Sequence, residues 1–393
     1  MKKLIALLLT LTLLLALAAC GADEPKEDAK KQDTVAADNP TQSGEGEDST
    51  EEAPVEITLE NLMNHSESPE KDFQVSQEGV LEKYLGDAAM VVIPETVNGV
   101  KVTSVADKAF EEKSKLEAIR FADTIQRAGS QVFYGSSRNL KIAVLGKGMR
   151  ELGGTFDNCG VLEQVVLNEG LEIIGGNCFS RCDDLTTVEI PKSVKTINGA
   201  AFFCCHDLEQ VTLPDGLTEI SNQCFMGCDS LTQIHIPDSV TALGDMCFNG
   251  CESLTSIDIP ETVTHIGHYA FEDCYELEQI VLPEGITQIG FECFSSCWVL
   301  TSLEIPKSVT EIGYGAFANT DLTTIELPQG IQRIDYQCFL GCDRLTTIVI
   351  PDSVEEIDQT AFQSCSEELV IQGGAGSYAE RYASENGIPF QAI

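Results

Sequence analysis

The same arrangement of hydrophobic and polar positions recurs along most of the chain. Residues 185–205 read LTTVEIPKSVKTINGAAFFCC and residues 254–274 read LTSIDIPETVTHIGHYAFEDC. Both fit the template L-x-x-I-x-I-P-x-x-V-x-x-I-x-x-x-A/C-F-x-x-C. The template proline stands at positions 191, 214, 237, 260, 283, 306, 328 and 351, with spacings of 23 residues and a single one of 22. A fixed period of about 20–50 residues predicts a solenoid, in which each coil buries its apolar side against its neighbours.

Each repeat predicts two short strands and a turn. The L-x-x-I-x-I segment alternates as a strand with one buried face does, and the proline ends it because proline has no N–H for the ladder. The V-x-x-I segment predicts a second extended piece, and A/C-F-x-x-C predicts one helical or 3₁₀ turn with phenylalanine in the core. Weaker copies over 116–133, 140–156 and 162–179 lack the proline. We expect about 12 coils over residues 91–371, stacked at ~4.8 Å into a parallel sheet about 55–60 Å long.

Segments at both ends of the repeats predict caps, which a solenoid needs because a bare end exposes core. Residues 72–85 alternate as a β-hairpin does, and residues 57–63 could form a helical turn, so we assign 57–90 as the N-terminal cap. At the other end, Ser377 is expected to cap a short helix that is followed by a last strand. We assign these elements to a C-terminal cap over residues 372–393.

The first 19 residues predict a secretory signal peptide. Met1-Lys2-Lys3 gives a basic start, and an almost wholly apolar run then ends in Leu17-Ala18-Ala19 before Cys20. The run is short for a membrane-spanning helix, which needs ~20 residues. The small residues before Cys20 resemble the lipobox of bacterial lipoproteins, in which the signal is cut before a diacylated cysteine. The resemblance implies lipid attachment at Cys20, and two acyl chains anchor stably. An ordinary signal peptide with an incidental cysteine is the alternative.

The segment after Cys20 predicts a tether. Residues 21–56 contain 12 Asp/Glu, 3 Lys and no aromatic residue. Such a segment cannot bury enough apolar surface to offset the entropy of ordering, so we expect residues 20–56 to be an acidic disordered tether. An acidic recognition tail is the alternative. A tether would hold the folded part away from the outer face of the cell membrane.

The repeat resembles the BspA-type leucine-rich repeat, a family of bacterial surface proteins. A 23-residue period, I-P-x-x-V-x-x-I and A-F-x-x-C recur together over about 280 of the 393 residues. Thr320 departs from the cysteine position, and the coils between 116 and 160 are degenerate. The resemblance implies a leucine-rich repeat solenoid, an α/β, β-rich right-handed superhelix with a long parallel sheet. It also implies an extracellular binding or adhesion role, and it supplies no catalytic residues.

The cysteines fall into columns at the repeat period. One column holds Cys159, Cys182, Cys205, Cys228, Cys251, Cys274, Cys297, Cys342 and Cys365. A second holds Cys178, Cys224, Cys247, Cys293 and Cys338, where other coils have alanine. Exchange with alanine predicts a core ladder of small buried thiols. Disulfides between coils and metal binding are alternatives, although C-x-x-x-C in every coil lacks histidine at ligand spacing.

Charge and motifs exclude several classes of function. The chain has 24 Lys+Arg against 63 Asp+Glu, a net charge of −39, which argues against nucleic acid and against an anionic membrane surface as partners. It has five histidines and none of the H-E-x-x-H, G-x-S-x-G, P-loop or Rossmann patterns. Cys205-His206 is adjacent in sequence, and neighbouring side chains commonly point apart. We therefore expect no enzyme activity, no metal and no cofactor.

The outward positions of the L-x-x-I-x-I strands give a candidate binding face. From two rows of short polar and β-branched residues we single out Glu189, Gln210, Gln233, His235, Asp258, Gln279, Glu304 and Glu326. The alternative is that these residues simply suit the exposed side of a parallel sheet. The sole tryptophan, Trp298, is a possible exposed anchor, although packing against the next coil is favoured.

These observations predict a non-catalytic, monomeric cell-surface lipoprotein. It would bind an extracellular protein or glycan through the solenoid, in adhesion or host interaction, and would touch the membrane only through its N-terminal lipid. The alternative is a structural or assembly component of the cell envelope that acts as a protein-interaction scaffold.

Overall fold

The computed structural model describes residues 56–136 and 138–393. Residues 57–393 form one compact unit, a parallel β-solenoid of about 14 turns, which confirms the predicted fold class. The predicted signal peptide, the lipid site Cys20 and the predicted tether up to residue 55 lie outside the described residues. In the described part, no helix is both long enough and apolar enough to cross a bilayer.

The L-x-x-I-x-I segments form parallel strands that lie side by side and pair in several successive ladders, and we call the whole set the long-strand sheet. In the coils that carry the template proline, the strand ends two residues before it, as Thr187–Glu189 does before Pro191. The strands are Met90–Val92, Ala118–Arg120, Ile142–Val144, Gln164–Val166, Thr187–Glu189, Gln210–Thr212, Ser256–Asp258, Gln279–Val281, Thr324–Glu326, Thr347–Val349, Val370–Gly373 and Phe390–Ala392. In two coils, around residues 233–235 and 302–304, the chain follows the same path with one isolated bridge or no strand.

The V-x-x-I segments form two-residue strands in a second parallel sheet, the short-strand sheet. They are Ser104–Val105, Arg127–Ala128, Glu151–Leu152, Ile173–Ile174, Thr196–Ile197, Glu219–Ile220, Ala242–Leu243, His265–Ile266, Gln288–Ile289, Glu311–Ile312, Arg333–Ile334 and Glu356–Ile357. An antiparallel hairpin, Phe73–Val75 with Val80–Tyr84, begins this sheet because its second strand pairs with Ser104–Val105. A smaller hairpin pairs Thr96–Val97 with Val100–Lys101.

The A/C-F-x-x-C segment, which we call the Phe corner, differs in detail from the predicted helical turn. The described residues of the repeats contain hydrogen-bonded turns at this corner and no helix. The reason is that most corners hold two residues in the left-handed conformation, such as Gln223 (φ 58°) and Gly227 (φ 70°), and every corner holds at least one; a right-handed turn cannot continue through them. Cys204, which fits neither cysteine column, occupies this left-handed position in its coil (φ 52°).

Phenylalanines form a continuous ladder through the core. Rings from Tyr84 to Phe362 stack one per coil with centroids 5.1–5.9 Å apart, and Tyr382 extends the ladder at 6.0 Å. Tyr84 belongs to the N-terminal hairpin and Tyr382 to the C-terminal helix. The stack therefore has about 14 turns and not about 12, because both cap segments add a ring to it.

The N-terminal helix covers the outer side of the long-strand sheet. Helix α1 (Leu59–Asn64) is capped by Thr58 and buries Leu62 against the sheet. The first three strands present apolar residues to it: Met90, Val92, Ala118, Ile142 and Val144. Arg120 donates from Nη1 to the Met63 carbonyl oxygen at 2.8 Å and fixes the end of the helix. The 3₁₀ turn Glu70–Asp72 then leads to the hairpin.

The C-terminal helix closes the other end of the stack. Helix α2 (Tyr378–Asn386) begins at Ser377, whose hydroxyl accepts from the Glu380 N–H, and ends at Gly387 in the left-handed conformation (φ 70°). It buries Ala379, Tyr382 and Ala383. The last strand then pairs in parallel with Val370–Gly373, which completes the long-strand sheet.

Candidate binding surface

The outer side of the long-strand sheet presents the eight residues that the alternation predicts. In the five strands from Thr187–Glu189 to Thr324–Glu326 the middle residue is buried and the residues on either side are exposed, as with Val188 between Thr187 and Glu189. All eight predicted side chains are exposed on this side: Glu189, Gln210, Gln233, His235, Asp258, Gln279, Glu304 and Glu326. We call this surface, from strand Gln164–Val166 to strand Thr347–Val349, the sheet face. It starts there because α1 covers the earlier strands.

The strand register arranges the sheet face in two rows. In one row Gln210 lies beside Thr187, and Gln279 lies beside Ser256. In the other row the isolated bridge brings His235 beside Asp258 near the middle of the face. The second row is not wholly polar, because Val281 next to Asp258 is 69% exposed.

An open depression indents one end of the sheet face. It measures about 760 Å³ and is lined by residues of three successive coils, among them Gln164, Val166, Thr187, Glu189 and Thr212. A smaller depression of about 290 Å³ lies beside Gln279 and Ser302. Both are open to solvent and lined by polar side chains and short aliphatic ones. They fit an extended ligand that lies along the face better than a small molecule that needs an enclosed pocket.

The cysteine columns are part of the core, as the exchange with alanine predicts. Fourteen cysteines of the described chain are free thiols, and all but Cys365 are fully buried. Burial raises the pKa of these thiols, for example of Cys178 and Cys205 to about 12, except at Cys342, where the contact with the Cys365 thiol lowers the pKa. Because the thiolate is the nucleophile and the metal ligand, such thiols are poor at both tasks. Among the described residues no group of three or more His, Cys, Asp or Glu could hold a metal ion.

The two residues of the Cys205-His206 pair do point apart. The Cys205 thiol lies in the core and donates to the Phe179 carbonyl oxygen at 2.9 Å. The His206 Nδ1 lies 2.8 Å from the Asp229 carboxylate on the next coil. That hydrogen bond, with the nearby Asp183, raises the pKa of His206. The arrangement is an ion pair between coils and not a nucleophile with its base.

Trp298 stacks on the preceding coil and is not packed away from solvent. Its ring lies 4.0 Å from the ring of Tyr275, centroid to centroid, with an interplanar angle of 11°. Trp298 remains 53% exposed. Both residues directly follow a cysteine of the first column, Cys274 and Cys297, so their 23-residue separation was the signal that could have predicted the stack.

A second aromatic stack runs along the coils just before the Phe corner. His268 stacks on Phe291 at 4.2 Å, and Phe291 stacks on Tyr314 at 4.6 Å. His268 is part-buried, and the Phe291 N–H donates to its Nδ1 at 3.0 Å. Burial lowers the pKa of His268, which agrees with a neutral ring that accepts this bond. Tyr336 continues the stack with a tilted, exposed ring.

Two carboxyl groups next to this stack are partly buried. Glu272 and Glu292 lie on successive coils and are joined by a side-chain hydrogen bond. Burial, then the Asp273 and Glu292 carboxylates, raise the pKa of Glu272 to about 9. Asn249 donates to Glu272 Oε2 at 2.7 Å. The hydrogen bond between the two carboxyls requires that one of them keep its proton at neutral pH.

Comparisons with known proteins agree with this architecture. A leucine-rich repeat protein from Bacteroides ovatus is 26% identical, covers 80% of this chain and 94% of its own, and superposes with a TM-score of 0.52. A leucine-rich cell surface protein from Faecalibacterium prausnitzii is also 26% identical over 79% of this chain and 94% of its own, with a TM-score of 0.47. The pneumococcal vaccine antigen PcpA shares the fold at 18% identity, with 80% and 91% coverage and a TM-score of 0.54.

No curated protein matches the sequence. The profile of the BspA type leucine-rich repeat region, however, matches over residues 91–209, 153–278, 195–322 and 264–372. These overlapping matches cover the whole solenoid between its caps. Leucine-rich repeat proteins of this kind are typically non-catalytic and take protein-interaction or surface roles. The chain belongs to the BspA-type leucine-rich repeat family.

Proposed function

We propose that the chain is a non-catalytic, lipid-anchored protein of the bacterial cell surface that binds an extracellular protein or glycan through its sheet face. The observation that carries the proposal is the run of exposed polar side chains on one open, rigid sheet, from Glu189 to Glu326. Solenoids use such extended surfaces for binding because each coil adds a fixed increment of surface. Family membership supports the surface location, and the Leu17–Cys20 sequence supports the anchor.

Binding to a panel of extracellular-matrix proteins and glycans tests the proposal. Residues 57–393 contain the entire core, so this fragment serves as the soluble protein. We expect saturable binding to at least one member of the panel, measured at two salt concentrations. Weaker binding at high salt would indicate that the acidic side chains of the sheet face take part, because salt screens exposed charges.

A pair of double variants locates the binding surface. Gln233→Ala with Asp258→Ala alters the middle of the sheet face and should weaken binding at least tenfold. Glu219→Ala with Gln332→Ala is the matched control, because both residues are exposed outside the sheet face. Equal loss in both variants would place binding elsewhere. A clean null across the panel would favour the envelope scaffold.

A further inference from the structure

The middle of the solenoid carries negative charge without compensation. Between residues 196 and 306 there are 17 Asp/Glu and no Lys or Arg, and four of the five histidines lie in the same stretch. Residues 101–150 have the opposite balance, with ten Lys/Arg and five Asp/Glu. Among the described residues, the only ion pair inside the stretch 196–306 is His206 with Asp229. These middle coils therefore form an electrostatic surface that attracts cations from solution.

The Tyr275–Trp298 stack lies within this acidic stretch. Trp298 is one of the few large apolar side chains that the described part of the chain exposes. The lysines and arginines that lie over rings in the described chain contact Tyr84, Tyr134, Phe203 and Tyr378, and none lies over this stack. The two rings thus offer an exposed aromatic surface that no cation of the chain occupies.

Carboxylates surround the phenol of Tyr275. Burial, then the charges of Asp273, Glu252, Glu272 and Asp229, raise the pKa of Tyr275 to about 12. The carboxylates also repel one another: burial and the charges of Asp229 and Asp273 raise the pKa of Glu252. A positive charge placed beside Tyr275 would relieve this repulsion and gain the attraction of several carboxylates at once.

We propose that the Tyr275–Trp298 stack and the carboxylates of Asp229, Glu252 and Asp273 form a docking site for a lysine- and arginine-rich segment of a partner protein. Guanidinium and ammonium groups stack on tryptophan and tyrosine rings, and arginine also pairs with carboxylates through two parallel hydrogen bonds. The occupant is a different protein and not a second copy of this chain, because copies with a net charge of −39 repel one another.

The site deepens the proposed surface-binding function by naming a partner class, but it uses residues outside the sheet face. The two ideas can therefore fail separately. Loss of peptide binding in the double variant Gln233→Ala with Asp258→Ala would place the cationic segment on the sheet face and overturn this site. We expect peptide binding to be unchanged in that variant. This result would not bear on the sheet-face proposal, which the panel experiment tests separately.

Titration of residues 57–393 with an octa-arginine peptide tests the docking site. Trp298 is the sole tryptophan, so its fluorescence reports on this position alone. We expect a saturable change in Trp298 fluorescence, and we expect the affinity measured by calorimetry to fall at least tenfold between 50 and 500 mM salt, because bound peptide charges are screened. An octaglutamate peptide should give no signal.

Two variants with matched controls separate the ring contact from general charge attraction. Trp298→Ala should weaken octa-arginine binding by about fivefold or more, which corresponds to the usual strength of a partly desolvated cation–π contact. Tyr134→Ala is its control, since Tyr134 is equally exposed but lies beside Lys108. Glu252→Gln should also weaken binding, whereas Glu356→Gln, which removes a carboxylate already near Arg333, should not.

Circular dichroism and the melting temperature must show that each variant is folded. If Trp298→Ala does not fold, Glu252→Gln still tests the site. Equal affinity of wild type, Trp298→Ala and Glu252→Gln would overturn the proposal. So would an octa-arginine complex that leaves Trp298 fluorescence unchanged. A fluorescence change that depends on the concentration of the protein itself, without peptide, would show that a second copy occupies the site.

Discussion

The thiol of Cys251 donates a hydrogen bond to the carbonyl oxygen of Phe225 on the preceding coil, at an Sγ–O distance of 3.2 Å. The same bond recurs at every cysteine of the first column from Cys182 to Cys365. In the coil where Thr320 replaces cysteine, its hydroxyl donates instead to the Phe317 carbonyl oxygen of its own coil, at 2.9 Å. The column is thus a line of buried donors, each of which adds a hydrogen bond to a buried carbonyl oxygen; that of Phe225, for example, also accepts from the Cys228 N–H at 3.2 Å.

Cys251→Ala should therefore destabilise the protein by about 1–1.5 kcal/mol, because it removes the thiol donor to the Phe225 carbonyl oxygen, which then keeps only the Cys228 N–H as its partner. Cys224→Ala is the matched control: Cys224 is equally buried, but other coils carry alanine at this position, among them Ala201 and Ala270. We expect the control to lose less than about 1 kcal/mol. Urea unfolding followed by circular dichroism measures both, and equal losses would contradict a donor role for the first column.

Thiol labelling of the folded protein should be confined to Cys365. It is the one free thiol in the described chain that is not fully buried. Contact with the Cys342 thiol and burial raise the pKa of Cys365, so the reaction should be slow even at pH 8. Iodoacetamide treatment followed by peptide mass spectrometry checks this, with a urea-unfolded sample as the control. Rapid labelling of a core thiol such as Cys251 in the folded protein would show that the ladder opens.

Stability should fall as the pH rises from about 4.5 to 9, in part because of Glu272. Its pKa is raised to about 9 in the folded protein, against an ordinary value of 4.5. The folded state therefore binds more protons than the unfolded state within this window, and the linkage relation gives a negative slope. The contribution is fully present below pH 4.5 and is lost as the pH passes the folded pKa.

Glu272→Gln should flatten this dependence, because an amide keeps a neutral polar group next to Asn249 and Glu292. We expect the variant to be more stable than wild type at pH 8.5 and close to it at pH 5, as measured by thermal melting. Glu276→Gln, an exposed acid of the same coil, is the control. Identical pH profiles for Glu272→Gln and wild type would show that Glu272 titrates normally.

Leu62→Ala should uncover the start of the long-strand sheet. Leu62 is fully buried against Met90, Val92, Ile142 and Val144. Truncation of such a residue costs about 2–5 kcal/mol, and the loss should be local because coils contact only their neighbours. Hydrogen exchange should quicken at residues 59–64 and in the first three strands. Met63→Ala is the control, since Met63 is exposed; equal effects of the two would mean that α1 does not cover the sheet.

Cys20→Ala should abolish lipid anchoring, because the variant lacks the thiol that would carry the lipid. We expect the variant to leave the detergent phase, and either to appear in the medium or to keep its signal sequence, as judged by phase partitioning and the mass of the protein. Cys224→Ala serves as the control, since Cys224 lies in the core of the solenoid. Unchanged partitioning of Cys20→Ala would rule out lipidation at this residue.

The repeat pattern was sufficient to predict the solenoid because each position of the template has one role in every coil. The alternation in Thr187-Val188-Glu189 predicts which side chains point outward. The exchange of Cys224 with Ala201 in the preceding coil predicts that this position of the repeat is buried. Such inferences need only the period and the chemistry of each column. The terminal rings Tyr84 and Tyr382 were missed because they lie outside the template, although they stack on it.

Contacts between columns were harder to predict from the sequence. The apolar outward residues Met90, Val92, Ile142 and Val144 signal that something covers the first strands, but the six-residue α1 is too short to be identified as its partner by pattern alone. The pKa of Glu272 is raised mainly by its burial in the folded protein, and this burial cannot be predicted from the amino-acid composition. The stack of His268 on Phe291, by contrast, repeats at 23 residues and was open to detection.

The coil that contains Thr320 is one residue shorter than its neighbours, yet the phenylalanine ladder passes through it with ring distances of 5.9 and 5.4 Å. The missing residue falls just after Thr320, where other coils turn from the Phe corner into the next long strand. The length change at that position leaves the ring ladder continuous, although the strand pairing of both sheets is interrupted beside this coil. Such a protein can thus be lengthened or shortened by duplication or deletion of whole coils. Small insertions are tolerated at the turn after Thr320, which is therefore the position at which recombination or protein engineering can add a loop.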